Sequence, residues 1–138
     1  MPDKLMRLFA IFFGIFIVVL VILADTRHLG FLYRIYDFPY GDKVGHFLLF
    51  GLLSLVVNLS VLGSGSPSSA SVQSNTDTIR TVIKTCLILA LFVGLEEFSQ
   101  RWFPSRTSDL FDLSASYLGI AFFALLAFKI KTRRSLQM

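Results

Sequence analysis

Long runs of apolar residues alternate with short polar stretches along the whole chain. Four runs stand out, over residues 8–24, 44–62, 82–95 and 113–128. With their flanking residues, each approaches the roughly 20 residues that a helix needs to cross about 30 Å of hydrocarbon. The runs are continuous, whereas a membrane strand would alternate apolar and polar positions. The pattern predicts a single all-α polytopic membrane domain over residues 1–138, with four transmembrane helices at about 8–24, 44–62, 79–96 and 110–128.

Composition agrees with this class. Of the 138 residues, 54% are hydrophobic, and the mean hydropathy is +0.69. A soluble domain would have too little polar surface to cover four such helices. Lys4 and Arg7 precede the first run as they would in a signal peptide, but the run is longer than usual and lacks an A-x-A-like cleavage site. We therefore expect the first run to be a retained span.

Basic residues favour one orientation. With both termini in the cytoplasm, eight Lys and Arg side chains lie inside and five lie outside, as the positive-inside rule prefers. The inner rim would suit anionic lipid, and no motif indicates nucleic-acid binding. The Gly/Ser-rich stretch 63–78 is predicted to be a flexible cytoplasmic loop. The aromatic-rich stretch 29–38 of the first external loop is predicted to be a short interfacial helix.

Two polar clusters, residues 42–46 and 96–112, then lie on the same outer side. Asp42 and His46 are four residues apart, so on a helix they share a face and the carboxylate could orient the imidazole. His46 and Asp112 lie about one turn inside apolar runs, where an unpaired polar group facing lipid is costly. We expect both to face the interior of the bundle. Their expected partners in an outer-leaflet polar site are Glu96, Glu97, Gln100 and Arg106.

At these residues the chain resembles the VanZ-like family of membrane proteins. The first part of the resemblance is Asp42-Lys43-x-x-His46, and the second is Glu97-x-x-Gln100 followed by Pro104, Arg106, Asp112 and Gly119. Two positions depart from the family pattern: Ser116 replaces a usual Asn, and Glu96 stands where Asp is common. The resemblance covers about residues 8–128. It implies a multi-pass protein of the bacterial inner (cytoplasmic) membrane and a link to tolerance of the glycopeptide teicoplanin.

The polar residues are compatible with two functions. In the first, the site binds a lipid headgroup, a lipid-linked cell-wall precursor or a lipoglycopeptide. Lys43 and Arg106 would hold phosphate or carboxylate, and Trp102 would contact the acyl region. The other expected ligand-binding residues are Glu96, Gln100 and Ser116.

In the second, the protein is a membrane-embedded hydrolase or transferase acting on such a lipid. His46 would be the general base or nucleophile, oriented by Asp42, and Glu97 or Asp112 would be the acid. A third alternative is that the polar residues only pack the helices together.

Few cofactors or partners are indicated. No cofactor is predicted, because no ligand spacing is diagnostic of a metal site. His46 and the carboxylates leave a divalent metal as an alternative. The expected partners are membrane lipids, and homo-oligomer formation is a further alternative. The lone Cys86 is predicted to be a small apolar filler.

Overall fold

The described part of the chain is helical. The computed structural model describes residues 2–25, 39–63, 75–102 and 109–137, and none of these residues forms a strand. The four helices are α1 (Pro2–Asp25), α2 (Gly41–Gly63), α3 (Asn75–Ser99) and α4 (Leu110–Leu136), and a 3-10 turn, Gln100–Trp102, follows α3. The predicted all-α fold class is confirmed.

Three helices have the length and apolar composition needed to cross a membrane. They are Gly41–Gly63, Asn75–Trp102 and Leu110–Arg134, so the chain has the character of a membrane protein. Helix α1 is 24 residues long, and its membrane crossing stays a prediction, as does the count of four spans.

The helices extend beyond the predicted spans because hydrogen bonding, rather than hydropathy, determines where a helix ends. Helix α3 begins at Asn75, inside the stretch 63–78 that was expected to be a loop. Near its start, the Thr81 hydroxyl donates a hydrogen bond to the Asp77 carbonyl and so accommodates a polar residue within the helix. Residues 64–74 and the expected interfacial helix at 29–38 lie outside the described residues.

Helices α2 and α4 run parallel and form the tightest contact in the bundle. Gly119 faces the backbone of Phe47, and a Cβ at position 119 would overlap the Phe47 carbonyl oxygen. Gly51 lies against the Phe123 ring in the same way. The buried Ala124 and Ala127 continue the small-residue face of α4. Small residues allow helices to approach closely where lipid supplies no hydrophobic driving force.

Helix α3 packs antiparallel to this pair. The Tyr117 hydroxyl of α4 donates to the Ala90 carbonyl of α3 over 3.3 Å, while residues near the end of α3 meet the start of α4. The central core draws on all four helices: Ile17, Phe50, Leu53, Leu89, Val93 and Ile120. Much of the remaining apolar surface is exposed, as expected of a protein surrounded by lipid.

Polar contacts mark both ends of the α2–α4 pair. At one end Lys43 meets Asp112. At the other end the Lys131 ammonium donates to the Leu62 carbonyl at 3.1 Å. Asp112 and Lys131 are about 28 Å apart along an ideal helix, close to the hydrocarbon thickness of a bilayer. The two contacts therefore lie near opposite edges of the apolar zone.

Candidate functional site

Lys43, in the first turn of α2, lies between two carboxylates of α4. Its Nζ donates to Asp109 Oδ2 and to Asp112 Oδ1, each at 3.2 Å. All three side chains remain partly accessible, with 30% of Lys43, 37% of Asp109 and 17% of Asp112 exposed. This contact joins the two polar clusters that the sequence placed on one side.

Two carboxylates accept hydrogen bonds from backbone N–H groups at the start of α4. Asp109 is the N-cap, and its Oδ1 accepts a hydrogen bond from Phe111 N at 2.9 Å. The pKa of the Asp109 carboxyl is lowered, first by this backbone hydrogen bond and then by Lys43. Glu97, buried at the end of α3, accepts from Asp109 N at 2.8 Å. The helix start thus has partners on both α2 and α3.

His46 is held by Ser116. The distance from His46 Nδ1 to Ser116 Oγ is 3.2 Å, and the Ser116 hydroxyl donates to the Asp112 carbonyl at 3.0 Å. A serine hydroxyl has a single proton. When that proton bonds the Asp112 carbonyl, His46 Nδ1 is the donor to Ser116, which is the Nδ1–H tautomer of the neutral imidazole.

Asp42 does not orient this imidazole. Its side chain is exposed and has no hydrogen-bond partner among the described residues, whereas Ser116 contacts the imidazole. Asp42 lies in the first turn of α2, where a carboxylate favours the positive end of the helix dipole. Tyr40 precedes the helix with φ 68°, a left-handed conformation, and its carbonyl accepts from Val44 N. Ser116 was expected to bind ligand, but it is fully buried and supports His46.

Glu96 and Gln100 form a second contact at the end of α3. Gln100 Nε2 donates to Glu96 Oε1, and Gln100 is almost completely buried. The two residues are four apart in the sequence, and Gln100 lies in the 3-10 turn that follows the α-helix. Gln100 therefore helps to hold the end of α3 in place.

Aromatic side chains surround the same end of the bundle. Trp102 is 71% exposed and meets the Phe98 ring edge to face at 5.1 Å between centroids. The Arg101 guanidinium lies 5.4 Å from the centre of the Phe98 ring, which is a cation–π contact. Tyr40 and Phe111 are also exposed. Such rings are typical of membrane–water interfaces.

The structure thus brings together five of the predicted site residues: Lys43, His46, Glu97, Asp112 and Ser116. We call these five residues and Asp109 the polar network. Arg106, a predicted anion-binding residue, lies outside the described residues. Within the described ranges, no group of three His, Cys, Asp or Glu side chains is arranged to hold a metal ion. The position between Asp109 and Asp112 is taken by the Lys43 ammonium.

A second polar group, deep in the bundle, was not predicted from the sequence. Ser54 donates to the Ile120 carbonyl at 2.9 Å, and Asn58 donates to Ser54. Cys86 of α3 lies beside both residues. The usable signal was spacing, because Ser54 and Asn58 are four residues apart and share one helical face. These contacts tie the three helices together near the middle of the membrane.

Comparisons with known proteins show limited similarity. No family model matches the chain, and no solved structure matches it. It is similar to an uncharacterised protein of the fission yeast Schizosaccharomyces pombe, with 36% identity over 122 residues. The match covers 88% of this chain and 65% of the yeast protein, so the chain spans just under two thirds of that relative's length. The yeast protein's description gives no activity.

Proposed function

We propose that this chain is a multi-pass membrane protein whose polar network binds the headgroup of a lipid or of a lipid-linked envelope molecule. The observation that supports this best is the joining of three helix ends by Lys43, Asp109, Asp112 and Glu97. Placing charged side chains at the edge of a membrane span costs free energy, and such side chains usually mark a functional site. Here they are gathered into one partly accessible place.

The position of the network suits a ligand that enters from the bilayer. Exposed Leu110 and Phe111 lie between Asp109 and Asp112 in the chain, and exposed Trp102 ends the turn after α3; these side chains would contact the upper part of the acyl chains. His46 and Ser116 lie one turn deeper than Lys43 and Asp112, below the headgroup level. A lipid could therefore place its polar group at the network while its chains remain among the neighbouring lipids.

The proposed orientation places this end on the non-cytoplasmic side. The opposite end of the described bundle carries Arg80, Lys84, Lys129, Lys131, Arg133 and Arg134, and basic residues favour the cytoplasm. The resemblance to VanZ-like proteins would add a bacterial inner membrane and a contribution to glycopeptide tolerance. Both rest on the motif residues alone, and the similarity to a yeast protein extends to organisms without a bacterial envelope.

Catalysis on such a lipid is the second candidate function. The observation in its favour is the Nδ1–Ser116 contact, which holds the His46 imidazole at the polar network. His46 would then act as a general base, with Asp112 or the buried Glu97 as the acid. The polar network otherwise offers positioning rather than an evident nucleophile, so binding is the function we put first.

Native mass spectrometry of the purified protein tests the proposal. We expect wild-type protein to retain lipid through delipidation and the Lys43→Gln variant to lose at least half of it. Lys84→Gln is the matched control, because Lys84 is an exposed lysine near the opposite end of α3. Equal lipid retention by all three proteins would contradict a headgroup site at the network.

A further inference from the structure

The ligand-facing atoms of the network define which kind of headgroup fits, and this inference rests on the proposed binding function. Lys43 has three N–H donors, and two of them are used by Asp109 and Asp112. One donor therefore remains. Within the described part of the chain, Lys43 bonds Asp112 only through Oδ1, and no other side chain bonds that carboxylate. Asp112 Oδ2 is therefore an available acceptor beside an available donor.

A hydroxyl group matches this pair of atoms. It accepts one hydrogen bond and donates another, so a single ligand hydroxyl could bond Lys43 Nζ and Asp112 Oδ2 together. A phosphate offers only acceptors, whereas an ammonium offers only donors. A phosphate would bond Lys43 Nζ but repel Asp112 Oδ2. An ammonium would bond Asp112 Oδ2 but repel Lys43 Nζ.

The carboxylates that hold Lys43 also disfavour an anion at this pair of atoms. Lys43 Nζ lies 3.2 Å from Asp109 Oδ2 and 3.2 Å from Asp112 Oδ1, so two carboxylates already balance its charge. An anionic headgroup would have to displace one of them or accept their repulsion.

The exposed indole of Trp102 supplies a matching apolar surface. Trp102 ends the 3-10 turn after α3, the helix whose Glu97 bonds the start of α4, and it is 71% exposed, with Phe98 as its ring partner. An indole offers a flat apolar face together with one polar N–H. The C–H face of a sugar ring packs well on such a surface, while the sugar hydroxyls reach polar atoms beside it.

We infer that the network recognises a neutral, hydroxyl-bearing headgroup, of which a glycosyl lipid is the best match. Lys43 and Asp112 bond one sugar hydroxyl, and Trp102 contacts the sugar ring. The Lys43–Asp109 contact holds the ammonium in place for this purpose. For a lipid-linked precursor, the recognised part would be the sugar rather than the phosphate.

Lipid competition measured by native mass spectrometry tests the inference. The probes are three lipids with identical dioleoyl chains: glucosyl-diacylglycerol, phosphatidylmethanol and phosphatidylcholine, of which the last two offer phosphodiester acceptors but no N–H or O–H donor. Wild-type protein should bind the glucosyl lipid at least tenfold more tightly than the other two. Asp112→Asn, which replaces an acceptor by a donor, should reduce that preference at least fivefold. Trp102→Ala should also weaken it and, being exposed, should leave the fold intact.

Asp77→Asn is the control, because Asp77 is exposed near the opposite end of α3. It should bind all three lipids as the wild type does. Preference for phosphatidylmethanol or phosphatidylcholine that Asp112→Asn abolishes would overturn the inference but leave a headgroup site. A glucosyl preference that neither Asp112→Asn nor Trp102→Ala changes would place glycolipid recognition elsewhere. Equal binding of every lipid by every variant would overturn the proposed function as well.

Discussion

At the residue scale, the hydrogen bonds of Ser116 determine the chemistry of His46. Sequence spacing predicted an inward His46 near Asp112, and the structure places His46 beside Ser116 on α4. The spacing also suggested Asp42 as the orienting group, and that assignment fails. Sharing a helical face does not bring two side chains together when a partner on a neighbouring helix lies closer. Such cross-helix choices depend on helix packing, which a single sequence does not reveal.

Replacing Ser116 should change the tautomer of His46. In wild-type protein we expect the neutral imidazole of His46 to carry its proton on Nδ1, which is readable from the two ¹⁵N chemical shifts of labelled histidine. Ser116→Ala removes the acceptor and should move the population toward the Nε2–H form. Ser114→Ala is a close control, since Ser114 also donates to a carbonyl four residues earlier but is exposed. Identical spectra for wild type and Ser116→Ala would show that Ser116 does not hold the imidazole.

Acid should weaken the start of α4 through Asp109. Its pKa is lowered from the ordinary value of 3.8, so its stabilising contribution is fully present above about pH 4 and is lost as pH falls through the lowered pKa. Asp109→Asn keeps a good N-cap residue but removes the charge. We expect thermal unfolding in detergent to show a smaller loss of Tm between pH 5 and pH 2 for this variant. A variant that loses as much Tm as the wild type would argue against the role of Asp109.

At the scale of elements, the close contact of α2 with α4 organises the bundle. Gly51 and Gly119 lie at this contact. Gly14, by contrast, meets nothing within 4 Å. The sequence pattern cannot separate these cases, because a glycine facing lipid and a glycine facing a helix occur in similar apolar runs. Helix bounds were also only partly predictable, since the polar ends of α3 and α4 continue the helices.

Gly119→Ala should destabilise the protein, whereas Gly14→Ala should not. A Cβ at position 119 would overlap the Phe47 backbone, which cannot move aside as a flexible side-chain end could. Overpacking of this kind typically costs about 1–3 kcal/mol. We expect Gly119→Ala to lower the Tm in detergent by several degrees, and Gly14→Ala to match the wild type. Equal Tm values for the two variants would show that α2 and α4 are not in such close contact.

At the scale of the whole molecule, the described bundle has two unlike ends. One end combines the polar network with exposed aromatic rings, and the other carries a basic rim with Lys131 bonded to α2. Hydropathy and charge counting were sufficient to predict this division, because membrane insertion acts on those same properties. Which atoms meet within the network was beyond sequence reasoning, as it depends on parallel α2 and α4 lying in register.

Cysteine labelling tests the proposed orientation. In a Cys86→Ser background, a membrane-impermeant maleimide applied to intact cells should label Pro39→Cys but not Gln137→Cys, since both positions are exposed and lie next to opposite ends of helices. Permeabilised cells should label both variants. Labelling of Gln137→Cys in intact cells, with Pro39→Cys protected, would reverse the orientation.

Site-specific photocrosslinking tests the central claim, that the joined helix ends form one headgroup-binding site. A photoreactive p-benzoylphenylalanine would replace Phe111, which is 72% exposed beside the network, or Leu125, which is 63% exposed on the same helix farther into the membrane. The account predicts that position 111 captures one dominant class of lipid and that Lys43→Gln abolishes this selectivity, while position 125 captures the bulk lipids in proportion. If both positions captured the same bulk mixture with or without Lys43, the claim would be contradicted.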